Sequence, residues 1–228
     1  MSPRGRVVKR VVPRIVIAES QFDAPARIGA SARRHLNRRG RVELYFAFDD
    51  PCSAVALLDL DERLRDRRVD LATFPVIARG IAGDPAIDRK RDYALVDARR
   101  LFARRGIALA RSASVTPEST AFLAHWVAAA APGPASRRFC VEAMQTLWLT
   151  DDDPVDRSVY AELWRDAVET APDDASGQDA VARNEKRMRR RGGYETPAAW
   201  VHGQLYFAHD RLEQIGERLD DLGWTVAR

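Results

Sequence analysis

A mostly apolar run at residues 42–48 (VELYFAF) is followed directly by Asp49-Asp50-Pro51 and then by a helical pattern. An apolar run of this length is typical of a strand that is buried on both faces. Asp50 suits the N-cap of the following helix, and Pro51 suits its first position, where an N–H would have no partner. A second strand is predicted at 69–74, so the chain opens with a β-α-β unit.

The middle of the chain, from about residue 88 to about residue 191, is predicted to be helical. Gly, Pro and acid-rich breaks divide it into segments at 92–105, 117–131, 137–149, 154–170 and 178–191. The segment 119–131 is apolar on nearly every side, which indicates a helix buried within this layer.

The last part of the chain returns to strand character. Residues 198–201 and 205–207 are joined by a short loop with glycine, which predicts a hairpin. Asp210 and Glu213 are spaced as in a capping box, which predicts a final helix at 211–222. The order β-α-β, helices, β-β-α predicts an α/β, thioredoxin-like fold with a helical insertion at about 88–191.

The positive charge of the chain is concentrated at its start. The net charge is +4, yet residues 1–40 carry 10 Arg and Lys against two acidic residues. We interpret 1–40 as a basic arm ahead of a domain at 41–228. The arm is either a solvated, disordered tail or a segment that touches an acidic or nucleic-acid surface. Residues 14–18 (RIVIA) could form a short strand within the arm.

Several classes of protein are not expected from the composition. No stretch has the roughly 18–20 consecutive apolar residues of a membrane helix, and no apolar core follows the charged start as in a signal peptide. Two cysteines, Cys52 and Cys140, suggest a reducing, cytoplasmic setting. We expect no metal site, because no ligand spacing is seen at the histidines His35, His125, His202 and His209.

Five short motifs occur in a familiar order. They are YFAFDDPCS at 45–53, Gly83-Asp84-Pro85 with Lys90-x-x-Tyr93, Asp97-x-Arg99, Glu195-Thr196-Pro197-Ala198, and Asp210-Arg211-Leu212. Together they resemble the DsbA-like thioredoxin-fold family, and most of all its branch with 2-hydroxychromene-2-carboxylate isomerase and kappa-class glutathione transferases. The resemblance covers about residues 40–225 and implies that Pro197 is cis.

The resemblance implies a site at the N-terminus of the first domain helix, where free N–H groups and the helix dipole stabilise a thiolate. In that branch a Ser hydrogen-bonds the glutathione sulfur; here the position is Asp50, which cannot donate to a thiolate. Asp50 is then an N-cap or a general base, and Cys52 is a single reactive thiol or a small packed one. With Ser53 they are the catalytic candidates. The chain has no C-x-x-C, so dithiol–disulfide exchange by this chain alone is not expected.

The resemblance also implies a set of cofactor-binding positions: Asp84, Lys90, Thr196, Pro197 and Asp210. Asp84 replaces an Asn that helps to hold glutathione in that branch. Asp50 and Asp84 are thus two acidic residues at positions that are neutral in the family, and together they disfavour the anionic glutathione. Lys90 offsets this charge or is a solvated helix end. Thr196-Pro197 forms the opposite wall, and Asp210 either caps its helix or receives a ligand ammonium.

Two functional readings follow. The first is an isomerase-, transferase- or oxidoreductase-type enzyme related to 2-hydroxychromene-2-carboxylate isomerase, with an altered thiol site. Such an enzyme would use glutathione, another low-molecular-weight thiol, or no thiol cofactor. The alternative is a catalytically degenerate binding or scaffold protein. In both we expect the partner to be a small apolar or aromatic molecule rather than a membrane or nucleic acid, and both a monomer and a homodimer remain open.

Overall fold

The computed structural model describes residues 23–81, 83–150, 153–168 and 170–226. Its helices are α1 (Ala24–His35), α2 (Pro51–Leu64), α3 (Ile87–Arg104), α4 (Pro117–Ala129), α5 (Pro134–Gln145), α6 (Arg157–Ala167), α7 (Asp174–Arg190) and α8 (Leu212–Asp221). Its strands are β1 (Gly40–Phe46), β2 (Val69–Pro75), β3 (Ala198–Val201) and β4 (Gln204–Phe207). A π-helical turn (Thr146–Thr150) extends α5, and a 3-10 turn (Ala208–Asp210) precedes α8.

The strands form one sheet in the order β2-β1-β3-β4. β1 and β2 are parallel, whereas β3 is antiparallel to both β1 and β4. The hairpin turn is His202-Gly203, and both residues have positive φ, as a tight two-residue turn requires. The predicted thioredoxin-like order is therefore confirmed.

β1 is buried on both faces, as its apolar run predicts. Leu44 and Phe46 belong to the larger core with α2, and Tyr45 belongs to a second core with Phe74 and Met188 of α7. The sheet thus lies between helices on both sides, and the parallel pairing of β1 and β2 places their carboxyl ends at one edge.

The predicted helical insertion is confirmed, with α3 to α7 between β2 and β3. Its centre is aromatic. The rings of Trp126 and Phe139 both lie edge-on to the Trp164 ring, and they are tilted against one another. α4 and α7 cross closely at Gly177, where a Cβ would collide with the carbonyl of His125.

The described part of the basic arm differs from the predicted tail. α1 packs on the domain through the buried Ala30, Asp23 pairs with Arg218 at 2.7 Å, and Arg34 lies over the Trp224 ring. The helix was missed because its buried positions are small rather than large and apolar. Residues 1–22, including the predicted strand at 14–18, lie outside the described residues.

The start of the last helix also differs from the prediction. Asp210 ends the 3-10 turn, and α8 begins at Leu212 without any side-chain cap. The capping-box spacing is therefore misleading here, because the extra turn separates Asp210 from the helix. Among the described helices, none is both long and apolar enough to cross a bilayer.

Candidate functional site

A cavity of about 940 Å³ opens beside the first turn of α2. Its walls come from that turn, the loop after β2, α3, the first residue of α4, residues 194–196 and residues 207–210. Of the site residues predicted from the sequence, the lining includes Asp50, Cys52, Lys90, Thr196 and Asp210.

Asp50 lies at the junction between α2 and the loop before β3. Its Oδ1 accepts a hydrogen bond from the Cys52 backbone N–H at 3.0 Å, so the predicted N-cap is confirmed. Its Oδ2 accepts from Ser53 Oγ at 2.7 Å and from Thr196 Oγ1 at 2.8 Å. The Asp50 carboxylate therefore joins two walls of the cavity, because its donors come both from α2 and from the loop before β3.

Ser53 and Pro197 support the site without lining it. The Ser53 side chain is fully buried, and its hydroxyl also accepts from the Ala47 backbone N–H at 3.2 Å. Thr196-Pro197 is cis, as the resemblance implies, and the Pro197 carbonyl accepts from the Ala208 N–H. The geometry therefore gives Ser53 no access to a ligand, contrary to its place among the catalytic candidates.

The Cys52 thiol is held in its protonated form. Burial raises its pKa first, and the negative charges of Asp50, Asp97 and Asp210 raise it further. Its Sγ lies 3.6 Å from the Ala94 carbonyl oxygen. The helix N-terminus therefore does not generate a thiolate at this position.

Cys140 is fully buried against Thr73, as predicted for a core residue. Burial raises the pKa of this thiol to about 12. Both cysteines are free, so the structure holds no disulfide between them.

Asp84 and Lys90 neutralise one another at the edge of the cavity. Lys90 donates to Asp84, which also accepts from the Ala86 N–H at 2.9 Å, and these hydrogen bonds lower the pKa of Asp84. Lys90 lines the cavity, whereas Asp84 is not part of the lining.

Arg79 is a cavity residue that the motifs did not indicate. It donates two hydrogen bonds to Asp49, at 2.8 and 2.7 Å, and its Nε lies 3.9 Å from Glu195 Oε1. Asp49 follows β1 and Arg79 follows β2, and parallel strands bring their carboxyl ends to one edge, where ligands often bind. That shared edge is the signal by which sequence reasoning could have paired them.

Glu195 is a lining carboxylate whose pKa is raised. Burial raises its pKa, and the charge of Arg79 and the Thr196 backbone N–H oppose that rise. A partly exposed carboxyl with a raised pKa is the usual form of a general acid or base. Sequence reasoning used Glu195 only as part of the proline motif.

The mouth of the cavity carries exposed aromatic rings. Tyr93 is 61% exposed and Tyr194 50%, and Tyr194 lies edge-on to Phe207 with ring centroids 5.8 Å apart. Ile87 and Pro117 extend this apolar wall. Large exposed rings grouped at a cavity are typical of binding surfaces.

Cys52, Asp97 and His209 also meet at the cavity, with their ligand-type atoms all within 4.8 Å of one another. The sequence predicted no metal site, because these residues come from three distant elements and show no local spacing.

Comparison with known proteins gives structural matches only: no family model matches the sequence, and no curated protein matches it. The structure of 2-hydroxychromene-2-carboxylate isomerase superposes with a TM-score of 0.61 at 16% identity, covering 80% of this chain and 96% of the other. The probable DsbA oxidoreductase from Streptomyces coelicolor gives 0.58 at 15%, covering 81% and 90%. The cytosolic disulfide reductase DsbM from Pseudomonas aeruginosa gives 0.52 at 16%, covering 80% and 97%.

The three superpositions cover 80–81% of this chain and 90–97% of the other chains, so they match its overall arrangement of strands and helices. At such identities a match identifies the fold and carries no residue roles across. The chain thus has a thioredoxin-like fold, similar to that of these three structures.

Proposed function

We propose that the protein is an enzyme that binds a small aromatic carboxylic acid in the cavity and transforms it by proton transfer, as an isomerase or transferase rather than as a disulfide oxidoreductase. The observation that carries the proposal is the layout of the cavity. An aromatic mouth at Tyr93, Tyr194 and Phe207 leads to a polar interior in which Glu195 lies beside Arg79.

The thiol chemistry typical of this fold is disfavoured by the residues present. A nucleophilic cysteine needs a lowered pKa, whereas that of Cys52 is raised. The chain also lacks a second cysteine near Cys52 to complete an exchange reaction. An acid–base role for Glu195 requires neither.

The positive groups of the lining favour an anionic end on the ligand. Arg79, Lys90 and Arg91 each pair with an acidic residue, whereas Arg89 pairs with none among the described residues. We infer that Arg89 attracts the ligand carboxylate while the apolar mouth holds the ring. Glutathione fits less well, because its two carboxylates would enter a cavity that also contains Asp50, Asp97 and Asp210.

The proposal is tested by calorimetric titration of the purified chain with a set of aromatic acids and with glutathione, followed by turnover of 2-hydroxychromene-2-carboxylate. We expect aromatic acids to bind, turnover to be independent of glutathione, and Glu195→Gln to reduce kcat about 100-fold or more while the ligand still binds. Glu213→Gln, an exposed change on α8, is the matched control and should leave kcat unchanged.

The absence of binding by any aromatic acid would overturn the proposal. Strict dependence of turnover on glutathione would overturn its thiol-independent form. Tight binding without turnover of the chromene would instead favour the binding-protein alternative, which the protonated Cys52 and the fully hydrogen-bonded Asp50 already support.

A further inference from the structure

Three side chains of metal-ligating type converge on one point of the cavity. Cys52 lies in the first turn of α2, Asp97 in the third turn of α3 and His209 in the 3-10 turn before α8. Their sulfur, oxygen and nitrogen atoms all lie within 4.8 Å of one another. We propose that they bind one divalent metal ion of the zinc class.

The kind of ligand set selects the kind of ion. Thiolate, imidazole and carboxylate are the three ligand types of protein zinc sites, whereas calcium and magnesium prefer oxygen alone. Ligand atoms of a tetrahedral zinc site lie roughly 3.3–3.8 Å apart, so side-chain movements of about an ångström would close the observed cluster on an ion. Three protein ligands leave a fourth position open, and the open side here is the cavity.

Whereas the Cys52 thiol contacts the Ala94 carbonyl oxygen at 3.6 Å, two side chains of the cluster leave polar atoms without a partner among the described residues. Asp97 accepts no hydrogen bond and forms no ion pair there, and His209 Nδ1 is shielded from solvent without a hydrogen-bond partner. The opposite nitrogen, Nε2, lies 3.4 Å from Asp210 Oδ2. A carboxylate on one ring nitrogen orients a histidine that binds metal through the other. A metal ion bound through Nδ1 would satisfy that shielded nitrogen.

The charges around the cluster also favour a cation. Asp50, Asp97 and Asp210 surround the Cys52 thiol with negative potential. That potential disfavours a bare thiolate and attracts a dication, which in turn stabilises the thiolate. On binding, the S–H bond breaks, the metal–sulfur bond forms, and the proton leaves to solvent. The inference goes beyond the proposed function, since it requires no substrate.

The test is titration of the full chain, free of any tag and treated with a chelator, first with cobalt(II) and then with zinc. We expect about one cobalt ion per chain, a thiolate-to-cobalt charge-transfer band in the near ultraviolet, and loss of that band when zinc displaces cobalt. Cys52→Ser should abolish the band. Asp97→Asn and His209→Gln should each weaken cobalt binding roughly tenfold or more.

Matched controls lie away from the cluster. Cys140→Ala changes the other cysteine, His35→Gln an exposed histidine on α1, and Asp92→Asn an exposed aspartate on the same helix as Asp97. Each should bind cobalt as the unmodified protein does. Circular dichroism confirms that every variant is folded before titration.

A folded chain that binds no cobalt, or that binds it without a charge-transfer band, would overturn the metal site. The same conclusion follows if Cys52→Ser keeps the band, or if the Asp97 and His209 variants bind like the controls. The titration with aromatic acids is run on the chelator-treated chain, so these results are separable from failure of the proposed function.

Discussion

Thr196 Oγ1 donates a hydrogen bond of 2.8 Å to Asp50 Oδ2, so the loop that ends in the cis proline is joined to the N-terminus of α2. Both residues are buried and both line the cavity. In this chain the carboxylate at the helix terminus therefore links two walls, whereas the fold commonly uses that place for thiol chemistry.

Replacing Thr196 with Val should destabilise the protein. The change keeps the shape of the side chain but leaves the buried Asp50 carboxylate with one donor fewer, which costs about 2 kcal/mol for a charged acceptor. Urea unfolding measures the free energy of unfolding. Thr225→Val, at an exposed position, should change it by less than about 0.5 kcal/mol. Equal effects of the two variants would contradict the assigned role of the hydrogen bond.

Cys52 should react slowly with iodoacetamide at neutral pH. Because its pKa is raised, the rate should still be far below its maximum at about pH 8.5, where a free thiol is half ionised, and should keep rising at higher pH. The measurement uses Cys140→Ala, so that only one thiol remains. Asp97→Asn removes one of the negative charges and should shift the rate profile to lower pH. A plateau below pH 8 would show instead that Cys52 is an activated thiol.

Stability should fall at alkaline pH, in part through Cys140. Its folded pKa of about 12 lies above the free-thiol value of about 8.5. The thiol therefore stabilises the fold fully below about pH 8.5, and this contribution is lost as pH rises toward 12. Cys140→Ala should show a smaller loss of unfolding free energy over this window in urea titrations. An identical pH dependence would contradict the shift.

Breaking the pair between Arg79 and Asp49 should be costly. Arg79→Gln leaves the Asp49 carboxylate, whose side chain is 3% exposed, without its cation, and loss of one partner of a buried pair costs about 3–5 kcal/mol. Arg138→Gln breaks a largely exposed pair with Glu142 and should cost less than about 1 kcal/mol. Thermal or urea unfolding compares the two, and similar losses would show that the Arg79 pair is not effectively buried.

Gly177→Ala should destabilise the helical insertion. The added Cβ would collide with the His125 carbonyl where α4 and α7 cross, and overpacking of this kind costs about 1–3 kcal/mol. Gly29→Ala on α1 meets no atom within 4 Å and should stabilise by up to about 1 kcal/mol through helix propensity. A stabilising Gly177→Ala would show that the two helices can separate without cost.

The elements that could be predicted from sequence are those that short-range physics specifies. The apolar run at 42–48, the Asp50-Pro51 helix start and the glycine hairpin loop all depend on neighbours along the chain. The same holds for the insertion, whose breaks are local. α1 escaped prediction because its docking depends on Arg34 and Asp23 reaching residues near the other end of the chain.

The candidate site was only partly predictable for the same reason. Motif resemblance found Cys52 and Lys90 in the lining, but also Ser53 and Asp84, which lie outside it. Tertiary packing determines which side chains meet in the cavity. Arg79 pairs with Asp49 because β1 and β2 are parallel neighbours. His209 lies near Cys52 because the hairpin returns the chain to α2. Burial, which raises the pKa of Cys52, is likewise a property of the assembled fold, since local sequence does not set how much water a side chain loses.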